Sequence, residues 1–224
     1  MPIRRALGSL PSFASLLISL TPLVCQAELQ WDSLSMNKTG WVSDAAVVAE
    51  YPFRNVGTTP ITIVSIQTSC SCTNATTAKH IYLAGEGGKV TATFNVGGQA
   101  GEQTKVITVI ASDTPSKASM LTLTVNIKPF AVTEPKFLLW KPGEARIAKK
   151  VEITAVPSVV IASIEALKSD PLFESRLETL WLGHRYALWL KPRSTTKPSS
   201  STITPVVTIE GKGQQILRVF AGVQ

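Results

Sequence analysis

The chain is 224 residues long, 44% hydrophobic and 17% charged, and its 22 basic against 15 acidic side chains leave a formal charge of +7. No dense basic run accompanies that excess, so the charge does not describe a nucleic-acid binder. Two histidines, His80 and His184, and scattered carboxylates supply no recognisable hydrolase set, and neither a Gly-x-Ser-x-Gly elbow nor a His-Glu-x-x-His helix is present.

Residues 1–27 read as a secretory signal. Arg4 and Arg5 form a basic start, residues 6–24 are apolar and uncharged, and Cys25-Gln26-Ala27 places small residues at both cleavage subsites. Cleavage after Ala27 makes Glu28 the first residue of an exported chain, periplasmic or secreted, with a formal charge of 20 minus 15, or +5. A lipoprotein reading would anchor Cys25, but Pro22-Leu23-Val24 before it are bulky where lipidation wants small residues. The apolar stretch is shorter than the ~20 residues a bilayer requires, so no transmembrane segment is expected in the exported form.

The next informative stretch is Ser69-Cys70-Ser71-Cys72-Thr73, which holds the only cysteines beyond Cys25. It follows Phe53-Arg54-Asn55-Val56-Gly57 and the apolar run Ile61-Thr62-Ile63-Val64-Ser65-Ile66. It precedes Leu83-Ala84-Gly85-Glu86 and Val90-Thr91-Ala92-Thr93-Phe94. Over residues 45–127 these segments together resemble a bacterial envelope domain family of unknown function, immunoglobulin-like and related to the hydin-type (ASH) domains. The signature of that family is a Ser-Cys-Gly-Cys-Thr run after a strand, and Ser71 stands here in place of the glycine. The resemblance implies an immunoglobulin-like sandwich in the cell envelope and no particular reaction.

The residues themselves leave three states open for Cys70 and Cys72. Residues two apart in an extended strand lie about 6.6 Å apart, the far edge of disulfide reach, so a bridge needs a bend, which the small Ser71 permits and an oxidising compartment favours. Alternatively, two thiolates on one face suit monovalent copper, with His80 and Met120 as further ligands. A comparable Cys-x-Cys strand occurs in the copper-delivery proteins of cytochrome oxidase assembly, although those flank their cysteines with apolar residues where this chain has Ser69, Ser71 and Thr73. The third state is an easily reduced dithiol acting in exchange. The first and third need no cofactor.

Strands are predicted nearly throughout. Val90, Ala92, Phe94 and Val96 alternate with polar residues, as do the apolar positions of Leu121-Thr122-Leu123-Thr124-Val125-Asn126-Ile127, which is the period of a sheet with one buried face. Residues 106–110 are continuously apolar and predict a more fully buried strand. Turn clusters fall at residues 55–57, 85–88, 97–98 and 112–115, a spacing that argues for a sandwich. Asn37-Lys38-Thr39 and Asn74-Ala75-Thr76 fit the glycosylation sequon, a triplet common by chance. A short helical piece is expected over residues 170–179, opened by Pro171.

A weak repeat organises the whole. Ile63-Val64-Ser65-Ile66 is echoed by Ile161-Ala162-Ser163-Ile164, residues 90–96 by 186–192, and residues 106–110 by 206–209. The expected architecture is all-β, with two tandem immunoglobulin-like β-sandwich domains, residues 28–128 and 129–224, joined near Pro129. The offset sets Lys168 opposite Cys70 and Asp170 opposite Cys72, so the second copy would build its strands without thiols. Trp140 and Trp189 are expected in the second core, Trp181 as a loop cap, His80 at a loop edge, His184 in a hairpin turn, and residues 197–201 as a flexible polar loop. Basic and acidic side chains number seven and seven in residues 28–128, thirteen and eight in residues 129–224.

From these features the chain is expected to be a non-enzymatic, exported protein-binding module for adhesion or assembly. Its partner would be an envelope protein or an anionic surface polymer, and not nucleic acid. A copper-binding or thiol-exchange factor centred on Cys70 and Cys72 is the alternative.

Overall fold

The computed structural model describes residues 28–112, 118–165 and 170–224. Residues 1–27, expected to be a signal, with Cys25, and Lys168 lie outside them. All regular elements among the described residues are strands.

Residues 29–128 supply β1 (Leu29–Trp31), β2 (Ser35–Trp41), β3 (Ala46–Asn55), β4 (Ile61–Thr68), β5 (Thr73–Thr77), β6 (Ile81–Tyr82), β7 (Gly87–Asn95), β8 (Gly101–Ala111) and β9 (Ser119–Lys128). They form two sheets, β1-β3-β7-β5 and β2-β9-β8-β4-β6, in which only the β2–β9 pair is parallel. The alternation read in the sequence decides which faces meet. Tyr51, Phe53, Val90, Ala92 and Phe94 point inward from the first sheet; Ile63, Ile107, Val109, Leu121, Leu123, Val125 and Ile127 point inward from the second. Residues 106–110 are not buried on both faces. Ile107 and Val109 are buried, whereas Val106 and Ile110 are only half-buried, because a two-layer sandwich has no third layer to cover the outer face.

Residues 131–223 supply β10 (Ala131–Glu134), β11 (Phe137–Trp140), β12 (Lys149–Ala155), β13 (Ser163–Glu165), β14 (Phe173–Trp181), β15 (Arg185–Pro192), β16 (Ser199–Ile203), β17 (Val206–Ile209), β18 (Gly213–Ile216) and β19 (Val219–Val223). The sheet β10-β12-β15-β14 has the same form as β1-β3-β7-β5. The opposite layer is divided into β11-β19-β16 and β13-β17-β18, with β11 parallel to β19 as β2 is to β9. The repeat is visible in the register itself. Ser65 pairs with Ile110 and Ile66 with Val109; 98 residues on, Ser163 pairs with Thr208 and Ile164 with Val207. Residues 101–111, one strand in β8, return as residues 199–209 broken into β16 and β17 at Thr204-Pro205. Pro205 has no N–H to give to the ladder, and its carbonyl instead accepts from Leu217 N at 2.9 Å, where β18 gives way to β19.

Three local expectations are overturned. Residues 170–179 are not helical: Asp170 Oδ1 accepts from Leu172 N and Phe173 N at 2.8 and 2.9 Å, a turn-initiating cap, but the chain then runs as β14 against β15. Residues 199–201 are not loop, because they pair with residues 221–223 of β19. Trp140 is buried, but Trp189 is not in the core. Strand parity sets it opposite Leu188 and Leu190, on the outer face, where its Nε1 donates to Glu178 at 2.8 Å. Trp181 is exposed and His184 sits in the β14–β15 turn, as the sequence implied.

The two sets of strands meet at Pro129. Phe130 is fully buried and stacks on Trp41 at 5.4 Å. The buried Gln215 accepts from Phe130 N and Ala131 N at 2.7 and 2.9 Å and donates to Ala131 O at 3.1 Å, so one amide ties the connector to β18.

Replacing Gln215 by leucine strands two buried N–H groups and should lower stability by about 2–4 kcal/mol in denaturant unfolding. Tyr51, fully buried and donating to Thr122 O at 2.9 Å, has its phenol pushed up by burial from 10.0 to about 12. The folded state thus resists losing this proton while the unfolded state loses it near pH 10. Stability is therefore expected to fall by about 2 kcal/mol between pH 10 and 12, and Tyr51→Phe should flatten that part of the profile.

Candidate functional site

Cys70 and Cys72 lie where the chain leaves β4 in one sheet and enters β5 in the other, and they are joined as a disulfide with a Cα–Cα distance of 5.2 Å. The turn is heavily tied. Thr68 Oγ1 reaches Cys70 O at 3.1 Å and Thr73 O at 2.9 Å, Asn95 N donates to Cys72 O at 2.9 Å, and Ser69 N donates to Val106 O at 3.0 Å. The buried Thr73 hydroxyl lies 3.5 Å from Cys70 Sγ and 3.9 Å from Cys72 Sγ. Both cysteines are half-buried, and Cys72 packs against the core. Chemically this is a cross-link holding the passage between two layers.

His80 and Met120 are not brought to it. Ile63 N donates to His80 O at 2.7 Å, which puts His80 at the far end of β4, seven residues from Cys70. At roughly 3.3 Å per residue the separation is on the order of 20 Å. Met120, on β9, pairs with Thr108 of β8 and is exposed on the outer face, two strands from β4. Among the described residues no three of His, Cys, Asp and Glu converge as a metal set.

A second feature went unread in the sequence. On the outer face of β11-β19-β16, Phe137, Leu139 and Phe220 are exposed, with the rings of Phe137 and Phe220 stacked at 5.1 Å. With Thr202, Gly222 and Gln224 they line a groove of about 310 Å³ that contains no ionisable side chain. The other half carries the same face with different chemistry. Asn37 pairs with Thr124 and Thr39 with Asn126, at the register positions where Phe137 pairs with Phe220 and Leu139 with Gly222. Overlaying β9 on β19 through their partners Gly101 and Ser199 would have exposed this contrast.

Residues 29–127 match the family model described as "Protein of unknown function (DUF1573)". That match covers the stretch from residue 45 to 127 that carries the envelope-domain resemblance. No curated protein matches the chain. Among solved structures, the human CEP192 ASH / PapD-like domain 7 is similar at 12% identity and a TM-score of 0.36, over 53% of this chain and 98% of that domain. The E. coli chaperone DraB is similar at 10% identity and a TM-score of 0.34, over 87% of this chain and 98% of that one. The Vibrio cholerae VesB protease is similar at 13% identity and a TM-score of 0.37 over 44% of this chain, which spans 31% of the protease.

The clamp at the crossover can be measured directly. Cys70→Ser with Cys72→Ser should lower the unfolding free energy by about 1–3 kcal/mol, modest because the ring is short. If instead the pair holds metal, the reduced wild-type chain would retain monovalent copper against a chelator and the double variant would not.

Proposed function

We propose that this chain is a non-enzymatic protein-interaction module that assembles with a partner protein in the cell envelope after export. The observation that carries the reading is the apolar outer face of β11-β19-β16. The same register positions in the other half hold Asn37, Thr39 and Thr124, so the fold does not need Phe137, Leu139 and Phe220 outside. Exposed aromatic side chains around a groove lined by no ionisable side chain are the composition of an interface centre. On the same reading, residues 1–27 are a cleaved signal, residues 28–128 and 129–224 are tandem immunoglobulin-like domains, and the Cys70–Cys72 pair is a structural clamp. Copper binding is not favoured, since His80 stands at the opposite end of β4 from the cysteines.

Site-specific photocrosslinking in the producing cell tests this. A photoreactive residue replacing Phe137 should give a discrete higher-mass adduct containing another protein, whereas one replacing Asn37 should not. Phe220→Thr should reduce the Phe137 adduct several-fold. Absence of an adduct at position 137, or equal adducts at both positions, would count against the reading.

A further inference from the structure

The hairpin between β14 and β15 ends in Leu180-Trp181-Leu182-Gly183-His184. Leu180, Trp181 and Leu182 are 43, 62 and 78% exposed, and Val160, in the adjoining turn, is 59% exposed. Four large apolar side chains therefore stand outward in one place. The point is stiffly held. Gly183 adopts φ +78°, and a Cβ there would meet Val160 Cγ1 at 2.8 Å. Gly183 N donates to Tyr186 OH at 3.0 Å, Ile161 N donates to Gly183 O at 2.8 Å, and the Trp181 and His184 rings lie 4.4 Å apart.

Its charge setting is basic on balance. No carboxylate occurs from Thr179 to Tyr186, Glu178 just below is paired with Arg176, and Glu210 beside Val160 is accompanied by Lys212. At the base of the hairpin, Arg185 and Lys150 share the single carboxylate of Glu152, each at 2.7 Å, which leaves a net positive charge. The surrounding residues 129–224 carry thirteen basic against eight acidic side chains.

A convex, consecutive apolar point needs a partner that closes around it. A bilayer does so without a preformed pocket: leucine enters the acyl region, indole settles at the headgroup level, and basic residues behind them meet anionic lipid. We propose that the β14–β15 tip inserts into the interfacial region of an anionic lipid bilayer, which would hold the protein at a membrane surface. This surface is distinct from the Phe137–Phe220 face, and its test is independent of the partner proposed for that face.

Residues 28–224 are titrated with vesicles of equal parts phosphatidylcholine and phosphatidylglycerol carrying brominated acyl chains. Tryptophan emission should be quenched, and the quenching should largely disappear in Trp181→Phe. Leu182→Ser should weaken vesicle affinity about tenfold. Vesicles of phosphatidylcholine alone should bind more weakly. Both side chains are exposed, so both variants should keep the wild-type melting temperature. Absence of vesicle binding, quenching that persists in Trp181→Phe, or wild-type affinity in Leu182→Ser would overturn the proposal. So would a tip that is shielded by a protein while vesicles leave its emission unchanged.

Discussion

Every later feature depends on one constraint, that a two-layer sandwich buries one face of each sheet and leaves the other uncovered. Residues such as Leu121, Leu123, Val125 and Ile127 have no freedom, since each meets the opposite layer. Their neighbours Thr122, Thr124 and Asn126 have a great deal. The inner positions of β9 and β19 are therefore apolar alike, while the outer ones diverge from Thr124 to Phe220 without disturbing the fold. Function can be written on the outer face at little cost to the core.

The same parity argument explains why the second half tolerates a proline in the middle of what is one strand in the first. Pro205 interrupts the ladder between β16 and β17, yet Ile203 and Val207 on either side of it stay in the core. Burial by side chains continues where backbone pairing stops. The joint is held by different means, with a buried amide, Gln215, answering backbone groups that neither layer can pair.

The cysteine pair fits this economy. A crossover between layers is secured by strand pairing only at its ends, where Ser69 and Cys72 each add one backbone bond to the adjoining ladder, while Cys70 and Ser71 belong to neither. Here Thr68, Thr73 and the Cys70–Cys72 bridge perform that task locally. Asp170, opposite Cys72 in the repeat, secures the start of β14 with a carboxylate: its Oδ1 caps Leu172 and Phe173 and its Oδ2 accepts from Ser201. Two different chemistries thus anchor the chain as it enters equivalent edge strands, β5 and β14.

What the sequence determined by itself was whatever rests on period and local turn chemistry. The alternation at residues 90–96 and 121–127 is legible, because neighbours in sequence enforce it. The mistaken helix at residues 170–179 and the mistaken loop at 199–201 mark the limit of that signal: a capping aspartate and a run of serines are locally ambiguous, and only pairing with β15 and β19 resolves them. Tertiary structure alone decided that Trp189 faces outward, that His80 lies a strand's length from the cysteines, and that Phe137 meets Phe220 across more than eighty residues of chain. These are questions of which strands lie side by side and in what register, and that is settled by long-range burial of the inner faces, which no window along the chain contains.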